Sequence, residues 1–348
     1  MKVLVTGASG YVGSWLVPQM LADGHHVTGL DIGWFGDGYL SKDNAHYKAV
    51  IGDIRDIETV RRVVKGREAV VHMACVSNDH SCQLDEALST SINYDAFDPL
   101  VIAAKEAGVR RFVYCSSSSV YGISEAPDVR EDHPLVPLTL YNKYKGMCEP
   151  LVLKHQAKDF ECVIIRPATV CGYAPRQRFD LTVNIMTMLA VLKSEITVFG
   201  GEQRRPNLHI QDMSDCYRML LTAPAEKIQG QIFNVGRQNL KVREIADIVA
   251  NVVEQHMGYR PSITTTESTD TRSYHINSDK IRDVLGFEPL HTVEDAVRDL
   301  CFKFKLGMFQ DALVNPWFTN VKQLLEKGVS VKDPLASYRE DRYANRSS

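Results

Sequence analysis

Tyr141 and Lys145 stand four residues apart in Tyr141-Asn142-Lys143-Tyr144-Lys145, and Ser117 lies upstream in a serine run that follows an apolar stretch. This trio can move a proton on and off a carbinol oxygen. On a helix, positions i and i+4 share a face, so the Lys145 ammonium can stand beside the Tyr141 phenol and favour its ionised form. A free tyrosine titrates near pH ~10, and poising it near neutrality needs about three units, or roughly 4 kcal/mol of differential stabilisation. One desolvated lysine plus a second positive charge can supply that. A Tyr-x3-Lys pair also fits an ordinary amphipathic helix surface, so the elements that would position it decide its meaning.

The amino terminus supplies such elements. Lys2-Val3-Leu4-Val5-Thr6 reads as a buried strand, and Gly7-Ala8-Ser9-Gly10-Tyr11-Val12-Gly13 then leads into a helical pattern from Ser14 to Leu21. Glycine permits a tight turn and close backbone approach, while the helix start offers unpaired N–H groups and a positive dipole end to a pyrophosphate. The spacing is GxxGxxG. A second apolar strand, His26 to Leu30, ends at Asp31, eighteen residues past Gly13, where an acid can accept hydrogen bonds from both adenosine ribose hydroxyls. A carboxylate there repels a 2′-phosphate, so NAD is expected over NADP. Its oxidised nicotinamide ring is then the second positive charge that Tyr141 needs.

Apolar strands alternate with helical stretches through the first half, at Val3–Thr6, Val27–Leu30, Tyr47–Ile51, Ala69–His72, Arg111–Cys115 and Cys162–Arg166. That alternation predicts an α/β fold with a Rossmann doubly wound parallel sheet. Ligands in such sheets bind beyond the carboxyl ends of the strands, where Gly7, Asp31, Asp53, Ala74 and Ser117 all fall. Ile232-Phe233-Asn234-Val235-Gly236 reads as a returning sheet strand.

Nearly the whole chain resembles the extended short-chain dehydrogenase/reductases, and within them the nucleotide-sugar epimerase/dehydratase group. The resemblance rests on the glycine turn, Gly52-Asp53-Ile54-Arg55-Asp56, Val70-Val71-His72-Met73-Ala74-Cys75, Asn93, Phe112 to Gly122, Tyr141 with Lys145, and Arg166 to Gly172. It implies that Gly7, Gly10, Tyr11, Val12 and Gly13 hold the cofactor diphosphate, that Asp53 and Ile54 border the adenine, and that Met73, Ala74, Cys75, Cys115 and Pro167 line strand ends facing the cofactor. Asn93 is implied as a helix-borne structural or cofactor contact. It further implies a Rossmann domain over 1–168 with returning elements at about 208–236, a smaller interleaved substrate-binding lobe from 169–207 and 237–310, and a C-terminal extension over 311–348. Arg205 and Arg272 resemble arginines that grip a substrate pyrophosphate, which a planar guanidinium matches bidentately. Asn78, Ser117, Ser118, Tyr141, Thr169 and Asn184 complete the substrate set, and Asn184 equally fits a helix cap.

Dehydratases and decarboxylases of the group carry an acid just after the catalytic Ser or Thr, where this chain has Ser118 and Ser119. A serine is a poor general acid at neutral pH, which turns the expectation from water elimination to hydride removal at a carbinol carbon such as C4. If the keto sugar receives the hydride back on its other face, the outcome is 4-epimerisation; if it leaves, the enzyme is a 4-dehydrogenase or reductase. Two alternatives stand beside this: an NAD-dependent dehydrogenase or reductase of a small non-nucleotide carbonyl compound, and a non-catalytic NAD-binding protein. The chain departs from the group's pattern at Thr169, Cys171 and Pro206. Cys171 fits a small buried hydrophobe better than an acid, and His80 and His209 fit structural histidines.

Composition agrees with a globular enzyme of 348 residues, 44% hydrophobic and 24% charged, with net charge −3 and no long basic tract to attract nucleic acid. The eight cysteines form no CxxC pair, so reduced thiols, a cytoplasmic location and no bound metal are expected. The first residues already read as a strand and no apolar run approaches a membrane span, so neither a secretory signal nor a membrane partner is expected. The resemblance implies a homodimer through the stretches around 94–107 and 141–155, and the polar last ten or so residues are expected to be disordered.

Overall fold

A computed structural model describes residues 1–36, 43–267 and 273–329. The expected disorder of the last residues therefore concerns positions outside those described. The six strands anticipated in the first half are present as β1 (Lys2–Thr6), β2 (His26–Asp31), β3 (Tyr47–Ile51), β4 (Ala69–His72), β5 (Arg111–Cys115) and β6 (Glu161–Pro167). Beyond them run β7 (Thr169–Cys171), β8 (Glu195–Phe199), β9 (Arg204–His209), β10 (Gln231–Val235), β11 (Gln238–Lys241) and β12 (Ser262–Thr266).

Seven strands form one sheet in the order β10-β6-β5-β4-β1-β2-β3, and each pairing in it is parallel. This is the doubly wound Rossmann-like α/β sheet. Its hydrophobic runs are continuous because both faces are covered. Val3 and Val5 of β1 enter one core with Leu16, Val17 and Met20 of the helix Tyr11–Ala22, while Leu4 points into the other with Val60, Val63, Leu100 and Val152. The period of two on a strand thus divides Val3, Leu4 and Val5 between two cores.

Chain order reverses between β1 and β4, which lie side by side with Thr6 opposite His72. The loops leaving the two strands diverge there and open a crevice at the carboxyl edge. A second sheet, β11-β9-β7, and a pair, β12-β8, lie beyond that edge. The helices Thr182–Lys193, Val242–Met257 and Val293–Lys305 enclose a third apolar core with Ile196 and Val198 of β8. Phe309 and Phe318 pack on Phe179 and Leu300, and this aromatic cluster folds the following helix, Asn320–Glu326, back toward the crevice. No described helix is long and apolar enough to cross a membrane.

Candidate active site

The crevice begins where β1 ends. Gly7 turns the chain with φ +75°, and a Cβ there would stand 2.9 Å from the Ala74 backbone nitrogen at the end of β4. A Cβ on Gly13 would collide with the carbonyl oxygens of Gly7 and Ala8. Both positions are closed to any side chain. The helix Tyr11–Ala22 that follows has no side-chain cap and no acidic residue in its first turn, so its opening N–H groups and positive dipole end face the cleft. Tyr11 and Val12 line it too, but the Tyr11 hydroxyl turns inward and donates to the Gly172 carbonyl oxygen at 2.6 Å.

Asp31 accepts from the backbone N–H groups of Ser9 and Gly33, each at 2.9 Å, and thereby ties the glycine turn to the loop after β2. Asp53 accepts from Arg55, whose Nη2 lies 2.6 Å from Oδ2, and Ile54 is beside it on the cleft wall. Met73, Ala74, Cys75, Cys115 and Pro167 line the same cavity of about 370 Å³, within the roughly 300–1,000 Å³ usual for small-molecule sites. Asn93 lies behind the wall. Its amide clamps Val76 in both directions, accepting from the N–H at 2.8 Å and donating to the C=O at 2.9 Å.

Tyr141 and Lys145 sit in the first turns of the helix Leu140–Leu153, whose start is capped by the Thr139 hydroxyl accepting from the Asn142 N–H. Both line the cleft, and the Lys145 ammonium lies 5.8 Å from the Tyr141 ring centroid. Lys145 Nζ donates to the Cys115 carbonyl oxygen at 2.6 Å, which fixes the ammonium at the end of β5. Burial works against its charge, but the sulfurs of Cys75, Cys115 and Cys148 outweigh burial and raise its pKa. Lys145 stays protonated. Ser117 leaves β5 one residue after the buried Ser116, caps the short helix Ser118–Tyr121, and faces the same cleft. The fold thus brings Tyr141, Lys145 and Ser117 together on one cleft.

Burial, followed by the sulfurs of Cys75, Cys115 and Cys82, pushes Tyr141 well above the ordinary phenol range, and the guanidinium of Arg178 pulls it down. Burial of the phenolate is the largest effect, which agrees with the sequence reading that a second positive charge is needed beside Lys145.

On the substrate side, Asn78, Ser118, Thr169 and Arg205 line the cleft, and the Arg205 guanidinium lies 5.7 Å from the Tyr274 ring centroid. Asn78 holds φ +76°, a left-handed conformation rare for a residue with a side chain; its Oδ1 caps the helix Asp79–Leu84 while Nδ2 donates to Asp180. Asn184 is buried off the cleft: it accepts from Gly172 N–H at 3.0 Å and donates to the Arg178 carbonyl oxygen at 2.9 Å. It is a clamp for the loop after β7 and neither lines the cleft nor caps its own helix. Arg272 lies outside the described residues. Cys171 is buried away from the cleft with burial pushing its thiol up, His80 is exposed, and His209 stacks on His291.

Among the cleft residues that sequence reasoning missed are Trp34, Phe35, Arg176 and Arg178 on loops and Asn320 near the carboxyl end. Arg178 donates from Nε to Asp180 at 2.8 Å and from Nη1 to Ser77 at 3.2 Å, and its buried Nη2 has no partner among the described residues. Two arginines spaced by one residue, Arg176-Gln177-Arg178, were the available signal.

With this geometry in place, comparison with known proteins decides the family. The family model described as NAD dependent epimerase/dehydratase matches residues 3–236. The chain belongs to that family.

As a family member it is similar to the UDP-glucose 4-epimerase of Mycolicibacterium smegmatis, with 30% identity over 300 residues that cover 83% of this chain and 94% of that one. It is also similar to the dTDP-glucose 4,6-dehydratase of Streptomyces griseus, at 28% over 307 residues, covering 85% and 91%. Among solved structures, the UDP-glucuronic acid 4-epimerase from Bacillus cereus, in complex with UDP-glucuronic acid and NAD, aligns with a TM-score of 0.77 at 25% identity over 88% of this chain and 99% of that one.

NAD is the cofactor of this enzyme family, and the residues present fit it. The two glycines leave a cradle that any Cβ would fill, the uncapped helix start would face the diphosphate, and Asp31 would meet the adenosine ribose. When bound, NAD supplies a hydride acceptor and a positive ring.

Proposed function

We propose that the protein is an NAD-dependent nucleotide-sugar 4-epimerase, working through a 4-keto sugar. The observation that carries this reading is the convergence of Tyr141, Lys145 and Ser117 on one cleft that has serines, Ser118 and Ser119, where an elimination enzyme needs an acid. Ser119 donates to Asn142 Oδ1 at 2.6 Å, and the acids lining the cleft among the described residues are Asp31, Asp53 and Asp79. The first two lie on the adenosine side, and Asp79 accepts the Thr139 hydroxyl at the start of the Tyr141 helix.

In this reading Tyr141 takes the proton of the sugar 4-hydroxyl, and Ser117 hydrogen-bonds the same oxygen. Lys145 holds the nicotinamide ribose and adds positive charge near the phenol. Arg178 favours the phenolate further, so two cations counter the burial that keeps Tyr141 protonated. Rotation of the keto sugar within the cleft presents its other face, and Tyr141 returns the proton. Arg205, at the far rim beside Tyr274, grips the substrate diphosphate. The same residues serve a 4-dehydrogenase or reductase if the keto sugar departs before rotating. A homodimer through the helices Phe97–Glu106 and Leu140–Leu153 and a cytoplasmic location belong to this proposal.

Incubation of the purified protein with UDP-, dTDP-, GDP- and CDP-hexoses, followed by proton NMR, tests the proposal. Inversion at C4 of at least one substrate is expected. Formation of a 6-deoxy-4-keto sugar instead would reassign the enzyme to elimination.

A further inference from the structure

Three segments far apart in the chain meet over the cleft. Trp34 and Phe35 follow Asp31 on the adenosine side, Arg176 to Asp180 follow β7, and Trp317 to Gln323 come from the carboxyl-terminal part. Their contacts interlock. The Trp317 indole N–H donates to the Phe35 carbonyl oxygen at 2.9 Å, and the Gln323 amide donates to the Trp34 carbonyl oxygen at 3.0 Å. The Arg176 guanidinium lies 3.8 Å from the Phe35 ring centroid and donates to Asn320 Oδ1 at 2.6 Å. Asn320 Nδ2 donates to the Ser77 hydroxyl at 2.9 Å, and its backbone N–H donates to Asp180 at 3.0 Å.

Asn320 is therefore the rivet. It is 4% exposed, Arg176 is 1% exposed, and the amide joins the loop after β4 to the loop after β7. Arg176 is anchored from the other side, since its backbone N–H donates to Ser14 Oγ in the helix that starts at the glycine turn. Trp34, Phe35, Arg176 and Asn320 all line the cleft that Gly7 and Asp31 line.

We propose that the segment Pro316–Glu326 roofs the dinucleotide cleft and keeps NAD on the enzyme between turnovers. This rests on the epimerase reading above and deepens it, because an epimerase must return the hydride to the sugar that gave it, whereas a dehydrogenase must exchange its cofactor every cycle. Release of a dinucleotide lying between Asp31 and the Tyr141 edge requires the 33–36 loop to lift. That movement breaks the Trp317 and Gln323 bonds and slides Phe35 off Arg176.

The test uses the full chain. Purified protein is loaded with NAD, chased with isotopically labelled NAD, and the bound nucleotide is followed by mass spectrometry. Asn320→Ala and Trp317→Phe are expected to exchange at least tenfold faster than the parent, with Val314→Ser, 78% exposed just before the segment and outside the interlock, exchanging at the parental rate. Melting curves identify a variant that fails to fold; if Asn320→Ala does so, Trp317→Phe, which keeps an aromatic ring and loses the indole donor, carries the test. Equal exchange in parent and folded variants overturns the roof and leaves the epimerase reading standing. A parent that binds no NAD overturns both.

Discussion

The hydroxyl oxygens of Ser117 and Ser119 lie 2.6 Å apart, and Ser119 Oγ lies 2.6 Å from Asn142 Oδ1. Because Ser119 gives its proton to Asn142, Ser117 gives its own to Ser119 and keeps a lone pair for the cleft. In the reaction the Ser117 hydroxyl swings from Ser119 to the carbinol oxygen, whose own proton goes to Tyr141, and Ser119 holds the Ser117 oxygen in place until then. Ser119→Ala frees that rotor and removes one hydrogen bond worth about 1 kcal/mol. Steady-state kinetics should show kcat down by roughly fivefold to tenfold with KM little changed, and Ser119→Thr should recover most of it.

Tyr141→Phe removes the one phenol among the described cleft residues that stands beside Lys145. Loss of a positioned acid–base group costs about 10²–10⁴ in rate. The variant should lose kcat on that scale while retaining NAD, as read from nucleotide released on acid precipitation. Full activity in Tyr141→Phe would move the base elsewhere.

Asp180 accepts from Arg178, Asn78 and the Asn320 backbone, so one buried carboxylate joins three cleft loops. Burial is the largest influence and raises its pKa, but Arg178, joined by Arg176 and the Asn320 N–H, lowers it overall. Arg178→Met leaves that carboxylate without its cation. Denaturant unfolding should show a loss of about 3–5 kcal/mol, the usual cost of breaking a buried pair from one side.

His72 is buried in β4, 2.8 Å from the Thr6 hydroxyl, and burial first, with Lys145 second, lowers its pKa to about 3. The folded protein keeps it neutral, whereas the unfolded chain protonates it below about 6.5. Its contribution to stability is complete above about pH 6.5 and fades as pH falls toward 3, with a slope of up to about 1.4 kcal/mol per pH unit. Unfolding free energies across that window should fall less steeply in His72→Asn than in the parent.

The sheet was legible because each strand carries its own evidence. Val3, Leu4 and Val5 are apolar on both faces, and Gly7 and Asp31 sit at strand ends where a doubly wound sheet gathers its ligands. Local spacing likewise placed Tyr141 and Lys145 on one helix face. Trp317 and Asn320 were not legible, because their partners Phe35 and Ser77 lie 282 and 243 residues away and neither end shows a period. Asn184 and Asn93 match the family's polar positions, but polarity alone cannot tell a ligand contact from a backbone clamp, and in this fold both amides bind main chain. Arg178 escaped notice for the same reason that makes it interesting: its loop has no regular structure to predict.

The central claim is that hydride leaves and returns to the same sugar carbon while Tyr141 moves the proton. A nucleotide hexose carrying deuterium at C4, incubated with the enzyme in ordinary water and followed by NMR, tests it most directly. The account predicts both C4 epimers with the deuterium still on C4. Epimers that have exchanged C4 deuterium for solvent hydrogen, or no C4 inversion with any nucleotide hexose, would contradict it.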